Sequence, residues 1–265
     1  MELTLLYPEG KLKALTFSYD DGVVHDRRLI EIFNRHGMKG TFNLNSGLQD
    51  KSESKISLNE LSTVYAGHEI ACHGKLHPFM ERLPLLSLVE DALDDRKILE
   101  RATGRIINGM AYPYGTYDSG VVRTLKALGI VYSRTVRSTG NFCLPDEFLE
   151  WHPTCHHREN IAELGNRFLA SGYPLALFYV WGHSYEFDRQ NNWNVIEEFC
   201  AQMDGQENVW YATNMEIYEY ITALRRLVTS ADGRIVKNPS ALSVWFRTED
   251  GRLLEVKSGQ ILAIS

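Results

Sequence analysis

Cysteine is scarce in this chain: Cys72, Cys143, Cys155 and Cys200 are the four present in 265 residues, and none forms a CxxC pair. That spacing excludes a disulfide framework as the source of stability and suits a reducing compartment. Runs of basic residues are missing too. With a formal charge of -6 and a pI near 5.9, the chain offers no electrostatic footprint for DNA, RNA or an anionic membrane surface. No apolar stretch approaches the roughly 18 residues of a membrane span. Met1 to Gly10 has neither the basic nor the apolar region of an export signal, so the expected location is cytoplasmic. Nucleic acid and membrane are excluded as expected partners, and neutral or cationic substrates fit better.

What is present is enough chain for one large α/β domain with an ample core. From Leu12 to about Val228, apolar β-branched runs alternate with helix-period segments, the signature of repeated βα units around a parallel sheet. Strands are expected at Ala14 to Tyr19, Gly40 to Asn45, His68 to Cys72, Ile106 to Tyr112, Ile130 to Val136, Phe148 to Thr154, Leu175 to Trp181 and Val209 to Thr213. The clearest helix is Leu86 to Thr103, with Leu86, Val89, Leu93 and Ile98 near one face and Glu90, Asp91, Asp94 and Asp95 on the other. From Thr229 the pattern changes to short alternating strands with Asp232-Gly233 and Asp250-Gly251 turns. Residues 1–228 therefore read as one domain and 229–265 as a small β appendage, whose exposed strands could pair two copies of the chain.

The chemistry-bearing residues follow strands, and the carboxyl ends of strands are where α/β proteins assemble sites. Asp20-Asp21-Gly22 ends the first strand; two adjacent carboxylates repel unless a cation or a proton is present. His73-Gly74-Lys75-Leu76-His77 follows the third, and histidines at i and i+4 share one face of a helical turn. With a distant carboxylate they make the three protein ligands of a catalytic zinc-type site. Gly74 stands where a metalloprotease HExxH helix needs glutamate, which disfavours that class. Taken singly, Asp-Asp-Gly is more often a turn or a helix cap than a site, Tyr112-Pro113-Tyr114-Gly115 is ordinarily a plain turn, and His183 is as readily a satisfied core histidine as a site residue. Neighbouring His156 and His157 on an extended chain point opposite ways and are expected to flank the cleft or cap the next helix.

Together, Thr16-Phe17-Ser18-Tyr19-Asp20-Asp21-Gly22, His73 to His77, Tyr112 to Gly115 and the late His183 resemble the ordered motifs of the polysaccharide deacetylase family, also called carbohydrate esterase family four or the NodB-homology domain. The likeness covers roughly Leu12 to Leu227. It implies an α/β fold, a distorted (β/α) barrel of about seven strands, and one divalent metal ion, usually zinc, sometimes cobalt or nickel. By matching motifs, Asp21, His73 and His77 would hold the metal, Asp20 would be the general base and His183 the general acid. The backbone N–H of Tyr114 would stabilise the oxyanion, Trp151 would line the acyl pocket, and Trp181, standing where the family has leucine, would reshape it.

Two departures bear on mechanism. Ala111 stands where the family has an arginine that contacts the base, and Glu150-Trp151 is the nearest match to the Asp-Trp pair whose aspartate supports the acid, with Glu150 or His152 as the expected substitute. The expected function is metal-dependent removal of an N-acetyl, or O-acetyl, group from a sugar, an oligosaccharide or a related small amide. A cyclic-amide hydrolase of the same fold and a non-catalytic carbohydrate-binding protein with a vestigial site are the alternatives.

Overall fold

The computed structural model describes residues 2–264. Its strands are β1 (Leu3–Leu6), β2 (Lys13–Asp20), β3 (Gly40–Leu44), β4 (Glu69–Cys72), β5 (Gly109–Ala111), β6 (Tyr132–Arg134), β7 (Cys155–His156), β8 (Ala176–Gly182) and β9 (Val209–Tyr211). Then come β10 (Val228–Thr229), β11 (Ile235–Lys237), β12 (Val244–Thr248), β13 (Leu253–Val256) and β14 (Ile261–Ala263). The helices are α1 (Asp26–Arg35), α2 (Leu61–Val64), α3 (Leu85–Thr103), α4 (Ser119–Ala127), α5 (Ile161–Ala170), α6 (Ser184–Gln190), α7 (Asn194–Met203) and α8 (Asn214–Arg225). None is long and apolar enough to cross a membrane.

Seven parallel strands form the main sheet in the order β6-β5-β4-β3-β2-β8-β7, and β9 adds to the start of β2. β2 is buried along its whole length, as a central parallel strand covered on both faces must be. Its alternation divides the molecule. Leu15, Phe17 and Tyr19 pack outward with Leu29 and Phe33 of α1 and Ile196 and Phe199 of α7. Thr16, Ser18 and Asp20 face the other way into a polar interior, where Thr16 Oγ1 bonds Asn214 and Asn43 Nδ2 bonds Ser18 Oγ. Arg134, four strands away in the sheet order, reaches both Ser18 and Asp20 across this interior, so the sheet is curled. An isolated parallel bridge between Arg134 and Trp151 carries the curl on toward β7.

Two expectations change. The strand expected at Phe148 to Thr154 is a 3-10 turn at Phe148–Glu150 followed by the single bridge at Trp151. Glu147 accepts from the Leu149 N–H to start the turn, and Pro153 has no N–H for a ladder. In α3 the buried face is Leu88, Ala92, Asp95 and Leu99, whereas Leu86 is 68% exposed; Asp95 is turned inward by backbone donors described below. At the C-terminus, β12 and β13 pair as the Asp-Gly turn implies, but β1 joins them, tying the first strand to the last ones. Tyr7, Trp151, Tyr179, Tyr220 and Phe246 share one apolar cluster there.

Candidate active site

Asp21, His73 and His77 converge: one ligand atom from each lies within 4.8 Å of the other two. No helix does this. Gly74 (φ 71) and His77 (φ 54) are left-handed, so the 73–77 segment is a tight loop, and the helical turn expected from the i, i+4 spacing is absent. The loop is shaped by carboxylates of α3. Asp95 accepts from the N–H groups of Ser46 (2.8 Å) and His73 (3.0 Å), and Asp91 from that of Lys75 (3.0 Å). Burial without a cation raises Asp95 to about 7. Asp21 is left-handed as well, at φ 81, a conformation that a non-glycine residue keeps only where its surroundings enforce it.

This donor set fits a divalent cation. His73 Nδ1 lies 2.8 Å from the carbonyl of Ala111, which makes it the protonated nitrogen and leaves the Nε2 lone pair bare. Burial lowers both imidazoles, His77 to about 4 with His73 contributing, so both are neutral at pH 7, as ligands must be.

Asp20, beside the triad, is buried at the end of β2. Asn43 donates to its Oδ1 at 2.8 Å, Arg134 donates to Oδ2, and Oδ2 lies 3.6 Å from His73 Nε2 and 3.9 Å from His183 Nε2. Burial alone would raise this carboxyl, but the Arg134 guanidinium and the two histidines outweigh it and bring it to about 2. Arg134 thus makes the contact to Asp20 that Ala111 cannot. Sequence reading missed it because it arrives from the next strand; an arginine within the apolar run Ile130 to Val136 was the available signal, since buried arginines are paired.

His183 begins α6 after β8, and Glu186, not Glu150 or His152, supports it: Glu186 Oε1 lies 3.3 Å from His183 Nδ1. Glu150 is exposed, and His152 Nδ1 is engaged with Thr135 Oγ1 at 2.6 Å. Support comes from one helical turn onward because i and i+3 meet on a helix. Glu186 Oε2 also lies 2.9 Å from His157 Nε2 and 3.3 Å from His156 Nε2, with Arg158 2.8 Å from Oε1. His156 and His157 therefore converge on one carboxylate, contrary to the opposed directions expected of them. Burial pulls His183 down, but Glu186, Asp20 and Asp21 outweigh it and leave it raised.

Around these groups, Tyr114 (φ 57) is half exposed with its ring 4.3 Å from that of His77. Trp181 lies under Arg134, whose guanidinium carbon is 4.4 Å from its ring centre. Trp151 is 1% exposed and packs edge-on against Tyr132, Phe148 and Tyr179, in the apolar cluster below the rim. A separate cleft of about 800 Å³, lined by Phe142, Tyr173 and Leu175 at the start of β8, holds none of the site's groups.

The fold and site define a curled parallel α/β domain with a candidate metal centre at its carboxyl rim. Residues 8–133, just under half of the chain, match the polysaccharide deacetylase family. No curated protein matches the chain. Among solved structures, a candidate polysaccharide deacetylase from Mycobacterium smegmatis is similar at 18% identity and a TM-score of 0.64, covering 84% of this chain and 96% of that one. A variant of the peptidoglycan deacetylase PdaC from Bacillus subtilis is similar at 17% identity and a TM-score of 0.53, covering 83% and 95%. A CE4-family pseudoenzyme from Bacillus anthracis is similar at 19% identity and a TM-score of 0.52, covering 81% and 68%. At such identities these likenesses speak for the fold.

Proposed function

We propose that this protein is a metal-dependent hydrolase that removes N-acetyl, or O-acetyl, groups from a carbohydrate or a related small amide. The observation that carries this reading is the position of Asp20: one buried carboxylate, held ionised by Arg134, meets a histidine of the metal triad on one side and His183 on the other. The shared fold does not decide it, since a pseudoenzyme has that fold too. Retention of the triad, the base and a raised histidine around one carboxylate supports catalysis.

Asp21, His73 and His77 would hold the cation, most simply zinc, and when bound it would supply Lewis acidity. Asp20 takes the proton of the attacking water, with Asn43 and Arg134 fixing its oxygens. The left-handed backbone at Tyr114 offers its N–H to the oxygen on which negative charge develops. An amine is a poor leaving group, and His183, whose hold on a proton Glu186 strengthens, gives it a proton from Nε2 while Nδ1 stays against the carboxylate. An ester or a cyclic amide would use the same base and acid.

Replacing Asp20 by Asn is expected to lower acetate release from N-acetylated sugars roughly 10²- to 10⁴-fold while leaving metal content unchanged. Unchanged turnover would refute the assigned base. A wild-type protein that holds metal yet releases no acetate from any sugar would move the search to cyclic amides.

A further inference from the structure

The three candidate ligands are not held alike. His73 and His77 sit in a loop tied to α3, but Asp21 follows the end of β2, and its left-handed backbone (φ 81) is disfavoured for any residue with a side chain. Something must hold it. Its own N–H donates to the Asn43 carbonyl at 2.9 Å, which fixes one side of the residue.

The other side is fixed by a segment far along the chain. Residues 54–56 cross the Asp-Asp-Gly turn antiparallel, with Val24 N–H donating to Ser54 O and Ile56 N–H to Gly22 O, both at 2.9 Å, and Val23 bridging Lys55. This crossing turns Lys55 inward. Its ammonium donates to the Asp21 carbonyl at 2.6 Å and lies 4.0 Å from the Asp21 carboxylate, while Gln49 Nε2 reaches the same carbonyl at 3.3 Å. The Lys55 side chain is 15% exposed, unusual for a lysine without a task. Gly22 permits the crossing: it is left-handed (φ 59), and a Cβ there would come within 2.8 Å of Leu44 and Gln49 side-chain atoms.

We propose that Lys55 is a positioning residue for the metal centre, holding Asp21 in its strained conformation so that the carboxylate faces His73 and His77. The role rests on the reading of Asp21, His73 and His77 as metal ligands and goes beyond it, since a cation is an unexpected neighbour for a metal ligand. Its positive charge opposes the incoming ion, so charge alone and positioning predict opposite effects of its removal. If Lys55 acted only by charge, its loss would tighten metal binding. If it positions Asp21, its loss weakens metal binding in spite of the relieved repulsion.

The test is cobalt(II) titration of the chelated full-length protein, followed by visible absorption, for the wild type, Lys55→Met and Lys55→Gln. Met removes donor and charge; Gln keeps a donor without the charge. Lys55→Met is expected to raise the cobalt dissociation constant roughly 10- to 100-fold and to alter the absorption bands, the usual consequence of losing an outer partner of a ligand. Lys55→Gln recovers most of both. Equal or tighter cobalt binding by Lys55→Met overturns the proposal, as does a wild type that binds no cobalt. Failure to release acetate, with the cobalt ranking intact, would count against the deacetylase reading alone. Melting curves without metal identify a variant that fails to fold, in which case Lys55→Gln against wild type decides, cobalt binding tighter than that of the wild type overturning the proposal.

Discussion

Two clusters of two histidines and a carboxylate flank Asp20, and the same side chains do opposite work in them. In the Asp21–His73–His77 cluster, His73 Nδ1 faces a carbonyl oxygen, so it carries the proton and Nε2 is left as a bare donor to a cation. In the His156–His157–Glu186 cluster, His156 Nδ1 accepts the Arg158 N–H at 3.1 Å, so its proton sits on Nε2, 3.3 Å from Glu186. A backbone group chooses the tautomer, and the tautomer decides whether a histidine binds a metal or donates to a carboxylate. The second cluster also carries its own cation, Arg158. Residue type and proximity therefore do not by themselves make a metal centre. The first is an open donor set; the second holds Glu186 as an anion for His183.

The largest effect is expected between the two clusters, at the counter-ion of Asp20. Arg134 is fully buried and pairs with an almost fully buried Asp20, so Arg134→Gln leaves a carboxylate without its counter-ion. Unfolding free energy is expected to fall by about 3–5 kcal/mol, measurable by denaturant titration. The sign of the pH effect follows. Arg134 is the largest influence lowering Asp20, and without it the carboxyl binds its proton at higher pH. The acid limb of the activity profile should move to higher pH, and an unmoved limb would separate Arg134 from the base.

A smaller effect is expected at Asp95, which also shows what the sequence could and could not convey. The βα alternation is legible because burial on both faces of a parallel sheet demands β-branched runs such as Leu15 to Tyr19, and the paired Asp20-Asp21 is legible because adjacent carboxylates need a cause. Asp95 looked like one more acid on the polar side of a helix; periodicity carries no information about a neighbouring loop whose N–H groups turn it inward. Arg134 and Glu186 escaped for the same reason, their partners being set by the curl of the sheet and by the start of α6. Asp95→Ala removes the acceptor shared by Ser46 and His73. Stability should drop by about 1–3 kcal/mol, and metal affinity roughly 10- to 100-fold. A stable variant with unchanged metal affinity would show that the 73–77 loop holds its shape unaided.

The gentlest perturbation is on the other side of Asp20. Glu186→Gln keeps the size and an acceptor for His183 Nδ1 but removes the negative charge that, with Asp20 and Asp21, outweighs burial and keeps His183 raised. A general acid must hold its proton until the leaving group departs, so turnover is limited on the alkaline side by loss of that proton. Removing Glu186's charge makes the proton easier to lose, and the basic limb of the pH profile should therefore move to lower pH, with activity at neutral pH down roughly tenfold. The acid limb belongs to Asp20 and should stay in place, while metal content is unchanged because no ligand of the triad is touched. A variant in which metal content falls instead would place Glu186 in the first cluster's architecture and erase the distinction between the two.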